Sequence, residues 1–208
     1  MIQAAHSIPP LVIVGAGDHG QVVADAAHAA GHPILGHLDD DPSRPNLLSP
    51  DDPRLDAAHF IVGIGDNAAR LRVFRQLVAD GRTFANVIHP SAVVSPAATL
   101  GQGVYLGPLA IVGPDATLGD AVIVNSAAVV EHHGHLADAV HVAPAAALAG
   151  RVTVGPETLV GLGAKILPGV TLGQRCVVGA GAVVTQDLPD DTTAVGVPAR
   201  PNPGPRKS

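Results

Sequence analysis

From Ile88 onward an aliphatic residue recurs at every sixth position without interruption, through Val94, Leu100, Leu106, Val112, Leu118, Val124, Val130, Leu136, Val142, Leu148, Val154, Val160, Ile166, Leu172 and Val178 to Val184. Four residues after each of the earlier ones stands a small or β-branched residue, as at Ala92, Ala98, Val104, Ala110, Val122 and Ala128, and glycine often follows the aliphatic one. A period of six does not match the 3.6 of an α-helix, and Gly and Pro recur throughout. The pattern predicts a parallel β-helix in which three hexapeptides close one triangular coil, so that residues 18 apart stack at the ~4.8 Å spacing of neighbouring strands.

The N-terminal part has a different rhythm. "LVIV" predicts a buried strand running into the glycine-rich turn "GAGDHG", "QVVADAAHAAG" a helix closed by Gly31, "PILGHLDDD" a second strand and "FIVGIGDN" a third. "AARLRVFRQLVADG" predicts another helix, and "PSRPNLLSPDDPR" a Pro-rich surface loop. These elements make a small α/β unit with a parallel sheet. The expected division is 1–85 for this unit, 86–188 for the β-helix and 189–208 for a C-terminal segment.

Composition agrees with a thin, layered interior. Of 208 residues, 47% are apolar and only 2% aromatic, so Ala, Val, Leu and Ile must fill the core. A net charge of -6, with no cationic cluster before the last residues, argues against a nucleic-acid footprint. The single cysteine, Cys176, has no internal disulfide partner and falls on a small inward repeat position, which makes it filler. No signal segment and no apolar run long enough for a bilayer is apparent, and the expected location is the cytoplasm.

"GAGDHG" fits G-x-G-x-x-G at Gly15, Gly17 and Gly20, and Asp39 ends the next strand about 20 residues on. NAD, the usual ligand of that fingerprint, requires two mononucleotide halves, and only one fits ahead of the hexapeptides. A phosphate or nucleotide at the helix N-terminus keeps the glycine logic. His19 in the turn is either a ligand contact or a helix N-terminal histidine. Asp39 and Asp40 stand at a strand end, where α/β sheets bind ligands, while Asp41 before Pro42 reads as a turn. Gly65 and Asn67 close the third strand and would face the same ligand. Arg70 reads as a solvated helix arginine, with a phosphate contact as the alternative.

In "NSAAVVEHHGH", Asn125 to His135, a glutamate and three histidines interrupt a region of Ala, Val, Gly and Leu. Val130 points inward by the six-residue rule, so His132 and His133 lie near a corner and face outward. A neutral imidazole there can act as a general base. The rival use is metal, since His132, His133, His135 and His141 supply the ligand type of a zinc hydratase. His135 also fits a plain surface corner, and His141 faces outward beside Val142.

The combination of "GAGDHG", "LDD", "IGDN" and "IHPSAVVSPAA" opening the hexapeptides resembles, across nearly the whole chain, the bacterial sugar acetyltransferases: sialic-acid O-acetyltransferases and N-acetyltransferases of nucleotide-linked 4-amino-4,6-dideoxy sugars. The resemblance implies an α/β half-Rossmann domain followed by a left-handed parallel β-helix, a homotrimer, acetyl-CoA in a groove between neighbouring β-helices, no metal, and a sugar nucleotide held by the small domain. It implies His132 as catalytic base within Val130-Glu131-His132, with Asn125 upstream and the Gly150 backbone amide, one coil above, as oxyanion donor. It further implies sugar-nucleotide binding by Gly15, Gly17, His19, Gly20, Asp39, Asp40, Gly65 and Asn67. The coenzyme set it implies is His141, Gly150, Gly161, Gly179, Gly196 and Arg200, the last two within "GVPAR"; Arg206 and Lys207 read as tail. The chain departs from the family at His133, where an acidic residue commonly follows the catalytic histidine and orients it. N-acetylation of the 4-amino group is the expected reaction, with sugar O-acetylation as the alternative; a zinc hydratase or a noncatalytic nucleotide-sugar-binding scaffold are the alternatives of another class.

Overall fold

The computed structural model describes residues 8–202. Strand β1 (Leu11–Val14) leads through the glycine turn into helix α1 (Asp18–Ala29), followed by β2 (Ile34–Leu38), a short 3-10 turn at Pro53–Ala57, β3 (His59–Val62), helix α2 (Asn67–Ala79) and β4 (Thr83–Phe84). The sheet is parallel in the order β2-β1-β3-β4. Leu11, Ile13, Val23, Ala26, Ala27 and Ile61 pack on one side of it, and Val12, Leu55 and Phe60 on the other. The turn before α1 closes only because Gly20 lacks a side chain, since a Cβ there would overlap the Gly15 carbonyl.

From Val87–Ile88 the chain winds through two-residue strands whose partners are 18 residues apart, as in Thr117 with His135 and Val129 with Ala147. Three faces result. The first carries Tyr105–Leu106, Ile123–Val124, His141–Val142 and Leu159–Val160; the second Ile111–Val112, Val129–Val130 and Ala147–Leu148; the third Thr117–Leu118, His135–Leu136 and Thr153–Val154. The every-sixth aliphatic residues from Leu106 to Val184 are buried and form one continuous core with the small residues four positions later, Cys176 among them. Corners turn through left-handed backbone at another fixed repeat position, including Ala121 (φ +53°), His133 (φ +58°), Ala139 (φ +53°) and Glu157 (φ +60°). Coil formation thus accepts side chains at φ values that favour glycine, because the ladder above and below holds each corner.

The small domain lies on the first face. Tyr105 and Ile123, outward positions of that face, pack with Leu11, Ile13 and α1. The joint is fixed by Arg70, and here the sequence expectation requires correction: Arg70 is neither solvated nor a phosphate ligand but 1% exposed. Its Nε donates to the Ala121 carbonyl (2.8 Å), Nη1 to the carbonyls of Ile64 (3.0 Å) and Gly65 (3.1 Å), and Nη2 to the Ala139 carbonyl (2.8 Å) and to Asn67 Oδ1 (2.8 Å). All five guanidinium donors are used. Ala121 and Ala139 are corners of successive coils, and α2 presents the arginine to both. Asn67 completes the joint by donating to the Glu157 carbonyl at 2.9 Å.

Removing the guanidinium leaves the buried carbonyls of Ala121 and Ala139 without their side-chain donor and takes a bond from Asn67 and from the part-buried carbonyls of Ile64 and Gly65, at ~1–3 kcal/mol for an orphaned buried group. Arg70→Ala is expected to lower unfolding stability by about 3 kcal/mol or more, read from chemical denaturation. A loss below about 1 kcal/mol would show that apolar contacts alone hold the domains together.

Candidate functional site

The expected site residues fall into two separate groups. The first lines a cavity of about 490 Å³ in the small domain, bounded by Gly15, Gly17, His19, Asp39, Asp40 and Gly65 among others. Gly17 is the N-cap of α1 and no side chain caps that end, so backbone donors face the cavity as in anion-binding helix termini. Asp39 accepts from the Ala16 N–H (2.7 Å) and the Asp41 N–H (2.9 Å), and these bonds lower its pKa. Its carboxylate therefore shapes the glycine turn. Asp40 makes no such bond among the described residues, which leaves its carboxylate for a ligand. Asp41 is the expected turn, accepting from Ser43 and pairing with Arg44 at 3.1 Å.

Arg44 also lines the cavity and was not legible in the sequence, where it lies inside a Pro-rich loop. A lone cation three residues beyond the acidic run at the strand end was the available signal. Asn67 lies outside this cavity, in the domain joint.

His19 reaches from the cavity down to the β-helix, where its ring meets Tyr105 edge-on at 5.5 Å and lies 6.2 Å from the ring of His141. His141 Nε2 is 3.3 Å from Asn125 Nδ2, and its ring also hydrogen-bonds the Gly65 backbone. His141, outward on the β-helix, is thus roofed over by the small domain. Burial, and then the Arg70 charge, lower the pKa of both His19 and His141 to about 4. The buried His19 Nε2 and the Tyr105 hydroxyl have no hydrogen-bond partner within the described chain.

The second group occupies the corner between the second and third faces, which in a triangular coil is opposite the first face and its small domain. His132 and His133 are exposed there. The register places Gly150 one coil above His132: the Arg151 N–H bonds the His132 carbonyl at 3.0 Å, and a Cβ on Gly150 would overlap the His132 ring at Nε2 and Cε1. The Nε2 and Cε1 side of the imidazole occupies the space that a side chain at residue 150 would fill. Equivalent repeat positions hold proline (Pro114, Pro144, Pro168), have their N–H capped by a side chain, as at Ser126 and Gln174, or, like Asp138, Leu162 and Ala180, have an N–H that donates to nothing among the described residues; the Gly150 N–H is of this last kind and stands beside the His132 ring. The Glu131 carboxylate accepts from the His132 N–H at 3.3 Å, so it caps backbone and does not contact the ring. Asn125 belongs to the other group, at the corner between the first and second faces.

Of the remaining expected coenzyme residues, Gly161 and Gly179 stack in successive coils where a Cβ would meet the Val178 carbonyl and the Val195 side chain respectively. Gly196 (φ +95°) precedes the cis Val197–Pro198 bond, and Arg200 is exposed on the closing strand. Arg206 and Lys207 lie outside the described residues. Among the described residues of one chain, no three His, Cys, Asp or Glu side chains are grouped to hold a metal ion, and no helix is long and apolar enough to cross a membrane.

The two buried histidines make stability pH-dependent. Folded, they bind protons only near pH 4, whereas their ordinary value is 6.5. Between these values the unfolded chain binds more protons, so stability falls as pH drops from about 6.5 toward 4 and is level above that window. Denaturation at a series of pH values is expected to show this slope, shallower in His19→Gln and in His141→Gln. A slope unchanged by both substitutions would place its origin elsewhere.

Comparison with known proteins matches both parts of the chain. The family model for the PglD N-terminal domain covers residues 10–77, and that for the hexapeptide repeat of succinyl-transferase covers residues 151–186. UDP-N-acetylbacillosamine N-acetyltransferase of Bacillus subtilis (strain 168) is 33% identical over 108 residues, 46% of this chain and 50% of that protein, so the match spans half of that relative's length. Perosamine N-acetyltransferase of Caulobacter crescentus, solved with CoA and GDP-perosamine as a variant with one histidine replaced by asparagine, is 40% identical with a TM-score of 0.88 over 96% of this chain and 99% of that one. The acetyltransferase domain of PglB from Neisseria gonorrhoeae, in complex with acetyl coenzyme A, is 36% identical with a TM-score of 0.86 over 93% of this chain and 99% of that one. With likeness of this degree along both the α/β region and the coils, the chain belongs to the bacterial acetyl-CoA-dependent sugar acetyltransferases that join a PglD-type N-terminal domain to a left-handed hexapeptide β-helix.

Proposed function

We propose that the protein transfers the acetyl group of acetyl-CoA to the 4-amino group of a nucleotide-linked 4-amino-4,6-dideoxy sugar. The observation that carries this reading is the packing of His132 against the bare backbone of Gly150 at an outward corner, in a chain whose small domain holds a separate nucleotide-sized cavity. The solved relatives bind CoA and GDP-perosamine, or acetyl-CoA.

The amine nitrogen attacks the thioester carbonyl, the oxyanion is held by the Gly150 N–H, and His132 takes the proton that nitrogen must lose. Collapse breaks the C–S bond, and the proton passes from His132 to the departing thiolate, so the products are an amide and a free thiol. The thioester is already activated and no covalent enzyme intermediate is needed. In the small domain, the α1 N-terminus and Arg44 suit a diphosphate, Asp40 suits hydroxyl or base N–H donors, and the unpartnered His19 Nε2 suits a polar group of the sugar. His141 and Asn125 form the floor beneath it.

Because the cavity and the His132 corner lie on opposite sides of one protomer, each complete site requires a second copy. The second face supports this, for its outward positions in the earlier coils are apolar, with Val93 62% and Ile111 40% exposed beside Leu109 at 63%, before Lys165 interrupts the row. Such a stripe fits a neighbouring copy better than water. A homotrimer packed through it lays the His132 corner of one chain against another and leaves a groove for the coenzyme. On this reading residues 1–85 select the sugar nucleotide and 86–188 carry the transfer, in the cytoplasm.

With GDP-perosamine and acetyl-CoA as probes, the wild-type protein is expected to release thiol and N-acetylated sugar in equal amounts. His132→Ala is expected to lower kcat by roughly 100-fold or more with calorimetric binding of both probes retained. Near-full activity in His132→Ala would assign the base elsewhere, and activity lost on chelation and restored by zinc would favour metal chemistry. Gly150→Val does not isolate the oxyanion donor, because the new side chain displaces the His132 ring.

A further inference from the structure

His133 stands where an acidic residue would directly orient the base. Its corner backbone, at φ +58°, turns its ring back toward His132, and the two Nδ1 atoms are 3.1 Å apart with the rings perpendicular. On the other side of the His133 ring, Nε2 is 3.7 Å from Oδ2 of Asp115. Asp115 is the same corner position one coil below, 18 residues earlier, and the ladder bond from the His133 N–H to the Pro114 carbonyl (2.9 Å) locks the two coils in that register. Three side chains therefore run in line down one corner.

Between two imidazole Nδ1 atoms at hydrogen-bond distance, one must donate and the other accept. A carboxylate beside His133 Nε2 favours a proton on that nitrogen, which leaves His133 Nδ1 as the acceptor. His132 Nδ1–H is then the donor, and His132 Nε2, the atom lying against Gly150, carries the lone pair. This is the tautomer a base needs.

We propose that Asp115 and His133 together replace the acidic residue missing after the catalytic histidine, with Asp115 acting as a positioning residue through His133. The inference rests on His132 being the base. When His132 Nε2 takes the amine proton, the imidazolium keeps Nδ1–H on His133 Nδ1, and the Asp115 carboxylate stabilises the new charge through the intervening ring. The proton leaves again from Nε2 to the thiolate, and neither His133 nor Asp115 changes its proton count over the cycle.

The corner tolerates the substitutions that test this, since Ala121, Ala139 and Glu157 occupy equivalent left-handed positions. In the full-length protein, with GDP-perosamine and acetyl-CoA, Asp115→Asn and His133→Ala are each expected to lower kcat about 10-fold, part of the roughly 100-fold a general base contributes. KM for both probes should be unchanged, and the acidic limb of the kcat profile should move to lower pH as the base loses its carboxylate. His133→Glu, which puts a carboxylate directly on His132, is expected to restore kcat and to make it indifferent to Asp115→Asn. Wild-type kcat and pH profile in Asp115→Asn, or a His133→Glu protein still dependent on Asp115, would overturn the relay. His132→Ala measured alongside separates the two claims: full activity there removes His132 as base, whereas its loss combined with an unaffected Asp115→Asn removes only the relay.

Discussion

The buried guanidinium of Arg70 fixes everything that the small domain can do. A charge at 1% exposure is tolerated only because carbonyls of two coils and of the third strand's exit loop solvate every N–H, with Asn67 closing the ring. That arrangement sets the distance between the cavity and the β-helix. It also places a cation beside His19 and His141, which together with burial keeps both rings neutral and available as hydrogen-bonding groups near pH 7.

Most of the fold was legible because a period of six is a strong constraint. The inward aliphatic residues, the stacking of Gly150 over His132 and a parallel sheet of at least three strands follow from spacing and strand-turn-helix pattern, whereas the order β2-β1-β3-β4 and the two-residue edge strand β4 carry no such signal. The partition of the faces was less visible, although its signal is present at the outward position before each aliphatic residue. Read at intervals of 18, the third face gives Thr99, Thr117, His135, Thr153 and Thr171, suited to water, whereas the first gives Val87, Tyr105 and Ile123, suited to a covering domain. The second gives Val93, Ile111, Val129 and Ala147, suited to another chain.

Arg70 was misread for a physical reason. A helix arginine is ordinarily solvated, and the acceptors of this one, at Ala121 and Ala139, are backbone atoms 51 and 69 residues away that carry no side-chain signature. The same limit applies to Asn125, which sequence proximity joins to His132 but which the corner geometry sends to the other side of the coil, beside His141. A catalytic list assembled along the chain thus divides between two surfaces. That division is the ground for proposing that a second copy takes part in the chemistry.

Subunit complementation tests that division most directly. His132→Ala removes the base and leaves the cavity, while Asp39→Ala opens the glycine turn of the cavity and leaves the base. Each protein alone is expected to be nearly inactive toward GDP-perosamine and acetyl-CoA. Co-expressed and purified as mixed oligomers, they are expected to regain a substantial fraction of wild-type turnover, because some interfaces then pair an intact cavity with an intact His132 from the neighbouring chain. Mixed oligomers as inactive as either parent would show that cavity and base act within one chain, contradicting a site shared between copies.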